Sequence, residues 1–199
     1  MLKRSLIHCG LAAMLLVTSS CLFDPDEKPI DDDDDDSGAV QKMDLTEPWH
    51  VLNNIEYAYK VRDRNTYDEL LDEQFTFFFS QGDVDEGLPV QWGRPDELGA
   101  TNDLFISNSQ PVPVGPECRS IRLDLLLTNI QWVEIIPDGY PDETWFSTTI
   151  FYTFTFEMAP DQTYVAETGA KAVFTVRNVG TEAAPLWKLV EFRDLGKGV

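Results

Sequence analysis

The chain has 199 residues and carries 35 acidic against 15 basic side chains, which gives a formal net charge of −20 at pH 7. This length is typical of one domain, or of slightly more than one. An acidic surplus of this size excludes nucleic acid as an expected partner, because binding it requires lysine and arginine side chains that neutralise phosphates.

Residues 1–20 are predicted to be a secretory signal peptide. Lys3 and Arg4 form a positive segment, and an apolar run at residues 6–17 follows it. With roughly a dozen apolar residues, that run is too short to remain as a membrane-spanning helix. Three small polar residues then lead to Cys21.

The small-residue run that ends at Cys21 resembles the lipobox of bacterial lipoproteins. In that family the signal is cleaved before the cysteine, which then carries several acyl chains such as palmitate. Several chains give a stable anchor, because each buried methylene contributes roughly 0.8 kcal/mol. The resemblance therefore implies lipidation of Cys21 and attachment to a bilayer of the cell envelope, at the outer membrane or the cell surface.

Residues 21–43 are predicted to be a disordered acidic tether. Residues 21–36 contain nine acidic side chains and one lysine, and six of the acids are consecutive aspartates. A calcium loop requires acidic ligands at alternating positions, a glycine at its turn and a glutamate at its twelfth position. The aspartate run lacks that spacing, so we expect mutual repulsion and an extended chain instead of a metal site.

Residues 44–199 are predicted to fold, and their first part favours helices. Apolar residues from Trp49 to Tyr59 recur at the spacing of one amphipathic helix face, with Thr46 as the expected N-cap. Thr66 and Glu69 form a capping-box pattern, which predicts a second helix with Thr66 as its cap.

Strands dominate the rest of the domain. An aromatic run at residues 74–79 predicts a strand, residues 81–95 predict a loop, and Pro95 marks the start of a third helix. Four more strands are predicted at residues 121–136, 147–158, 170–179 and 186–194. The first of these four requires a bend at Thr128 and Asn129, because its apolar phase changes there.

The links between the last four strands contain turn signals, which predicts an antiparallel meander. The predicted fold class is α+β, with three N-terminal helices packed on one face of a strongly curved antiparallel sheet. Long strands can bend around the first helix and leave a cone-shaped interior.

Three segments, residues 51–63, 67–77 and 186–194, resemble the opening and the final strand of the NTF2-like superfamily, which includes SnoaL-like and ketosteroid-isomerase-like proteins. The resemblance covers about residues 44–196. The chain is also similar to a group of bacterial lipoproteins that are built on such a domain. The superfamily contains isomerases, cyclases, dehydratases and members without catalysis, so the fold alone assigns no activity. Homodimers that form through the sheet face are common in this superfamily, and such a homodimer is an alternative for this protein.

Two functions stay open for the folded domain. The first is a non-catalytic binding module for a small apolar ligand or another envelope protein. The second is an isomerase, cyclase or hydratase in which Tyr59 and a carboxylate such as Asp124 converge in the cone. The candidate pocket residues are Tyr59, Phe77, Trp92, Trp132 and Phe154.

The two catalytic candidates also have structural interpretations. The spacing of Tyr59 fits core packing equally well, and Asp124 shares its strand face with Arg122, which predicts a solvated side chain. Loss of the signal peptide leaves His50 as the single histidine and Cys118 as the single unmodified thiol. We therefore expect neither a metal site nor a cofactor, and we expect Cys118 to be a small, at least half-buried strand residue.

Overall fold

The computed structural model describes residues 40–106, 118–140, 143–158 and 162–197. The predicted signal peptide, Cys21 and most of the acidic tether lie outside the described residues, and so does the side chain of Cys118. Within the described residues, no helix is both long enough and apolar enough to cross a membrane.

Helix α1 spans Pro48–Val61, and its first residue is a proline whose backbone is already set for a helical turn. The predicted cap Thr46 is wrong, because the N-cap position is occupied by Glu47, whose side chain makes no capping bond. Arg62, with φ of 57°, ends the helix in the left-handed conformation. The buried face has the predicted spacing, although Trp49 is exposed; its apolar members are Val51, Leu52, Ile55, Ala58 and Tyr59.

Helix α2 spans Arg64–Leu70. Its N-cap is Asp63, which accepts the Thr66 N–H at 3.1 Å and the Thr66 hydroxyl at 2.6 Å. These two bonds hold the pKa of Asp63 below its ordinary value. The prediction of Thr66 as the cap is therefore wrong, because an aspartate three positions earlier takes that role.

Strand β1 spans Leu71–Phe78, and the segment after it was expected to be a loop. That segment contains helix α3 at Gln81–Asp85, capped by Ser80, and strand β2 at Gln91–Gly93. Helix α4 then spans Arg94–Ile106. The described residues thus contain four helices instead of three, because a helix as short as α3 produces no hydrophobic period in the sequence.

The remaining strands are β3 at Cys118–Leu125, β4 at Val133–Ile135, β5 at Trp145–Met158, β6 at Gln162–Asn178 and β7 at Trp187–Gly196. The described strands form a sheet with the order β2-β1-β7-β6-β5-β3, and β4 also pairs with β5. Strands β1 and β7 pair in parallel, whereas the other pairings among described strands are antiparallel. The prediction of a fully antiparallel sheet is therefore wrong for one pair of strands, because β1 and β7 are joined by a long crossover and not by a hairpin.

The strand predicted at residues 121–136 is divided into β3 and β4, which both pair with β5. Leu125 pairs with Tyr152, whereas Val133 pairs with Ser147. Asn129, between the two strands, has φ of 57°, which confirms the bend predicted at this position.

The core lies between α1 and the sheet, where α1 contacts β3, β6 and β7. Among its largest fully buried side chains are Tyr67, Phe75 and Phe174. Helix α4 contacts β1 and β2 beside this core. The predicted α+β arrangement, with helices packed on a large curved sheet, is confirmed.

Candidate functional site

A partly open cavity of about 440 Å³ lies between helix α4 and the sheet. Its volume is in the range of small-molecule sites in proteins. Strands β1, β2, β3, β5 and β7 contribute to its walls, together with α1, α3 and α4. The lining residues are Tyr59, Phe77, Phe79, Asp83, Leu88, Trp92, Glu97, Ala100, Thr101, Leu104, Leu123, Tyr152, Phe154, Phe156, Phe192 and Asp194.

Strand alternation brings aromatic rings together along one wall. Phe77 and Phe79 are two residues apart, so both point to the same side of the chain. The ring centroid of Trp92 lies 5.7 Å from that of Phe77 and 4.7 Å from that of Phe79. Phe192 on β7 lies 4.9 Å from Phe77. These distances are those of edge-to-face and tilted aromatic contacts, which fix the wall as one packed unit.

Glu97 contributes a buried carboxylate to the lining, with only 5% of the residue exposed. Its Oε1 atom accepts the hydroxyl of Tyr67 at 2.6 Å and the hydroxyl of Thr101 at 3.2 Å. Its Oε2 atom accepts the indole N–H of Trp92 at 2.9 Å. An ionised carboxylate has about four acceptor positions, so these donors leave about one position for a ligand.

Burial raises the pKa of Glu97 above its ordinary value, and the three hydrogen bonds partly oppose that shift. The hydroxyl of Tyr59 lies within hydrogen-bonding reach of Tyr67 and Thr101. Burial, together with repulsion from the Glu97 charge, raises the pKa of Tyr59. The polar end of the cavity is therefore a carboxylate of raised pKa among neutral hydroxyl groups.

Asp83 and Asp194 are the other charged side chains in the lining. Asp194 lies on β7, is 8% exposed, and accepts the Gly196 N–H at 2.8 Å. Asp83 accepts the hydroxyl of Ser80 at 2.7 Å, at the start of α3. Within the described part of the chain, no group of three metal-ligating side chains is placed to hold a metal ion.

Tyr59, Phe77, Trp92 and Phe154, all of them predicted pocket residues, line the cavity. Trp132 does not line it. This residue lies in the bent segment between β3 and β4, is half-buried, and packs against the hydrophobic core. The expectation for Trp132 is corrected, because the bend removes it from the face that the cavity uses.

The catalytic candidate Asp124 does not line the cavity either. Leu123 of β3 points inward to the lining, so alternation directs Asp124 to the outer face of the sheet. The Asp124 side chain is 50% exposed and accepts a hydrogen bond from Arg122 Nε at 2.9 Å. Asp124 therefore does not converge with Tyr59. Its side chain is solvated on the outer face of the sheet.

Sequence reasoning missed Glu97, although the sequence contains a signal for it. Glu97, Thr101 and Phe105 are spaced by four residues, so they share one face of α4, and all three are buried. A glutamate on the buried face of a helix is rarely without partners. That combination marks Glu97 as a candidate functional residue.

No protein-family model matches this chain, and no curated protein matches it in sequence. A crystal structure of a candidate scytalone dehydratase from Novosphingobium aromaticivorans is similar, with a TM-score of 0.51, 9% sequence identity, and coverage of 75% of this chain and 80% of that one. The chain has an NTF2-like fold. At this identity the similarity concerns the fold alone.

Two further solved structures are similar to the NTF2-like domain. A candidate dehydratase of the NTF2-like family from Streptomyces avermitilis has a TM-score of 0.47 and 14% identity, and the match covers 75% of this chain and 92% of that one. An NTF2-like protein from Rhodospirillum rubrum has a TM-score of 0.49 and 14% identity, with coverage of 76% and 99%.

Proposed function

We propose that this NTF2-like domain binds a small, largely apolar molecule in its cavity. The observation that carries the proposal is an aromatic wall, around Phe77 and Trp92, that ends at the buried polar cluster of Glu97 and Tyr59. Apolar walls contribute affinity by removing ligand surface from water, and a few placed polar groups orient the ligand.

The hydrogen bonds of Glu97 support binding over catalysis. A general base has to reach the substrate proton that it removes. Both carboxylate oxygens of Glu97 already accept hydrogen bonds from protein groups, namely Tyr67, Thr101 and Trp92. The carboxylate is thus held in place by its neighbours, with limited capacity for a transferred proton.

An isomerase, cyclase or hydratase is the second candidate, and the raised pKa of Glu97 favours it. A carboxylate of raised pKa beside a neutral tyrosine is a pairing that acid–base catalysis uses. In such an enzyme Glu97 and Tyr59 are the acid–base groups, and Asp124 has no catalytic role. Glu97→Gln distinguishes the two functions, since it abolishes turnover by an enzyme, whereas a binding module that gains its affinity mainly from the aromatic wall still binds a neutral apolar probe.

Fluorescence titration of the full chain with N-phenyl-1-naphthylamine, a neutral apolar fluorophore, tests the binding proposal. Ala100 lines the cavity, so Ala100→Trp is expected to fill it and abolish the fluorescence increase. Ala183→Trp makes the same change on the exposed turn before β7 and is expected to leave the titration unchanged. Equal probe binding by wild type and Ala100→Trp contradicts the cavity as the binding site.

The proposal includes a lipid anchor on Cys21, with residues 22–43 as a spacer between bilayer and domain. Its support is the sequence alone: a basic start, a short apolar run and small residues before the cysteine. Cells labelled with radioactive palmitate are expected to label the wild-type protein but not Cys21→Ala. Equal labelling of the two proteins contradicts the anchor.

Protein partners at the sheet face, either a second copy of the chain or another envelope protein, stay a prediction. Phe151 is 46% exposed on β5, and Lys171 lies 5.1 Å from its ring centroid. Sedimentation of wild type and Phe151→Lys checks this prediction. A dimer that the substitution dissociates supports it, and a wild-type monomer contradicts the homodimer.

A further inference from the structure

The described lining of the cavity carries charge of one sign. Glu97, Asp83 and Asp194 are acidic, and no lysine, arginine or histidine is among the described lining residues. A protein site for an anion places a cation or several N–H donors toward it. This lining offers a ligand carboxylates instead.

The arginine nearest to these carboxylates in the chain is directed elsewhere. Arg193 stands between Phe192 and Asp194, which both line the cavity, so strand alternation points Arg193 to the opposite face. There its guanidinium lies 3.7 Å from the ring centroid of Phe78, and its Nε donates to Glu191 at 2.9 Å. The positive charge next to Asp194 in sequence therefore does not enter the cavity.

The aromatic wall is a second and independent feature. A cation within about 6 Å of an aromatic ring face is attracted by the ring quadrupole, most strongly for tryptophan. The indole N–H of Trp92 is already donated to Glu97, so what Trp92 offers a ligand is its ring. The ring centroid of Trp92 lies 5.7 Å from that of Phe77 and 4.7 Å from that of Phe79. Phe192 extends the wall, with its centroid 4.9 Å from that of Phe77.

The two features together select the charge of the ligand. An anion would lose its hydration beside carboxylates that repel it. A neutral molecule would use the aromatic wall and could donate a hydrogen bond to a carboxylate, but it would gain no attraction between opposite charges. A cation gains from both, and the net charge of −20 raises its concentration near the protein.

We infer that the ligand of this cavity is an organic cation, a protonated amine or quaternary ammonium group on an apolar body. This inference rests on the proposed binding function and specifies the class of ligand. The lining carboxylates and the ring of Trp92 attract the cationic group, and the phenylalanine rings contact the apolar body.

Calorimetric titration of the full chain with three small probes tests the inference. Benzyltrimethylammonium is the cation, neopentylbenzene is its neutral carbon isostere, and phenylacetate is an anion of similar size. We expect the cation to bind at least about tenfold more tightly than the neutral isostere, and the anion not to compete. Because the attraction is partly electrostatic, the cation affinity is expected to fall as salt rises.

Asp194→Asn provides the decisive variant, since its amide oxygen can still accept the Gly196 N–H. We expect it to weaken cation binding at least about threefold and to leave the neutral isostere unchanged. Asp124→Asn removes the same charge from the outer face and is expected to change neither affinity. Trp92→Leu is expected to weaken the cation more than the isostere, because it removes the ring but keeps an apolar side chain.

The outcomes separate the inference from the proposed function. If the neutral isostere binds as tightly as the cation, the inference is overturned while the binding function stands. If Asp124→Asn weakens cation binding as much as Asp194→Asn does, the effect is the net charge of the domain and the inference is again overturned. If none of the three probes binds and the neutral fluorophore also fails, the binding function itself is refuted.

Discussion

Tyr67 on helix α2 donates its hydroxyl to Glu97 on helix α4 across 2.6 Å, and both residues are buried. The bond joins two helices and fixes the carboxylate at the polar end of the cavity. Thr101, one turn further along α4, donates to the same oxygen. The position of Glu97 thus depends on partners from two helices, and on Trp92 of β2 for its other oxygen.

Removal of that hydroxyl by Tyr67→Phe is expected to destabilise the domain by about 1–3 kcal/mol, because a buried acceptor loses a donor. The bond also lowers the pKa of Glu97, so its loss raises that pKa further. The cost is therefore larger at pH 8, where Glu97 has more charge to stabilise, than at pH 4. Urea denaturation at both pH values measures it.

Tyr57→Phe is the matched control for this experiment. Tyr57 is a half-buried tyrosine on α1 that does not line the cavity. Its substitution is expected to produce a change that does not depend on pH. A pH-independent cost for Tyr67→Phe would show that Glu97 does not depend on this donor.

Arg177 and Asp72 form a buried ion pair whose disruption is expected to be costly. Arg177 donates Nε and Nη2 to the two Asp72 oxygens at 2.8 and 3.0 Å, and Nη1 to Glu143 at 3.1 Å. The Asp72 side chain is only 2% exposed, so Arg177→Met leaves an uncompensated buried charge. We expect a loss of about 3–5 kcal/mol in the free energy of unfolding, measured by urea denaturation.

Two variants check the cause of that loss. Adding Asp72→Asn to Arg177→Met removes the stranded charge, so the double variant is expected to be more stable than Arg177→Met alone. Arg122→Met breaks an exposed pair with Asp124 and is expected to cost less than about 1 kcal/mol. A double variant no more stable than Arg177→Met would mean that lost packing, and not the buried charge, is responsible.

Hydrophobic spacing in the sequence predicted the buried face of those helices and strands in which the repeat of apolar residues alone sets that face. The inner face of α1 is an example, since the positions of Leu52, Ile55 and Tyr59 follow from the helical repeat alone. The parallel pairing of β1 with β7 was not predictable in this way. It depends on contacts between the two ends of the domain sequence, and the pattern of either strand is the same in both pairings.

The candidate site divides in the same way. Phe77 and Phe154 were predicted because aromatic residues on the inner face of a curved sheet tend to line its interior. For Glu97 the helical spacing with Thr101 indicated the buried face of α4. The donors from α2, α4 and β2 that make its burial tolerable converge only in the tertiary fold, so its role in the site was missed.

The turn between β6 and β7 requires a glycine at position 180. A Cβ atom on Gly180 would overlap the Ala184 carbonyl oxygen and lie 2.8 Å from the Leu186 nitrogen, both backbone atoms. Gly180→Ala is therefore expected to cost about 1–3 kcal/mol through forced displacement of the turn. Gly99→Ala is the control, because a Cβ there meets no atom within 4 Å and helix α4 gains about 0.5–1 kcal/mol. Equal melting temperatures for the two variants would contradict the clash.

Glu56 is expected to make the stability of the domain decrease as the pH rises from about 4.5 toward neutrality. Partial burial raises the pKa of Glu56 from 4.5 to about 7, the nearby charge of Asp124 adds to the rise, and the Leu125 N–H donated to Glu56 opposes it. The folded state therefore retains a proton between pH 4.5 and 7 that the unfolded state has lost, so stability falls across that window and the loss is complete above pH 7. Glu56→Gln stays neutral and keeps an oxygen for the Leu125 N–H.

We expect Glu56→Gln to match the wild type near pH 4 and to exceed it by about 1 kcal/mol at pH 8, a figure reduced for the partial exposure of the side chain. Glu97, whose pKa is also raised, is present in both proteins, so its contribution cancels in the difference. Urea denaturation between pH 4 and pH 8 measures the two curves, and Glu134→Gln on the exposed side of β4 supplies the control that should run parallel to the wild type. A constant difference between Glu56→Gln and wild type over this range would show that Glu56 titrates alike in the folded and unfolded states, because only a shifted pKa makes the difference grow with pH.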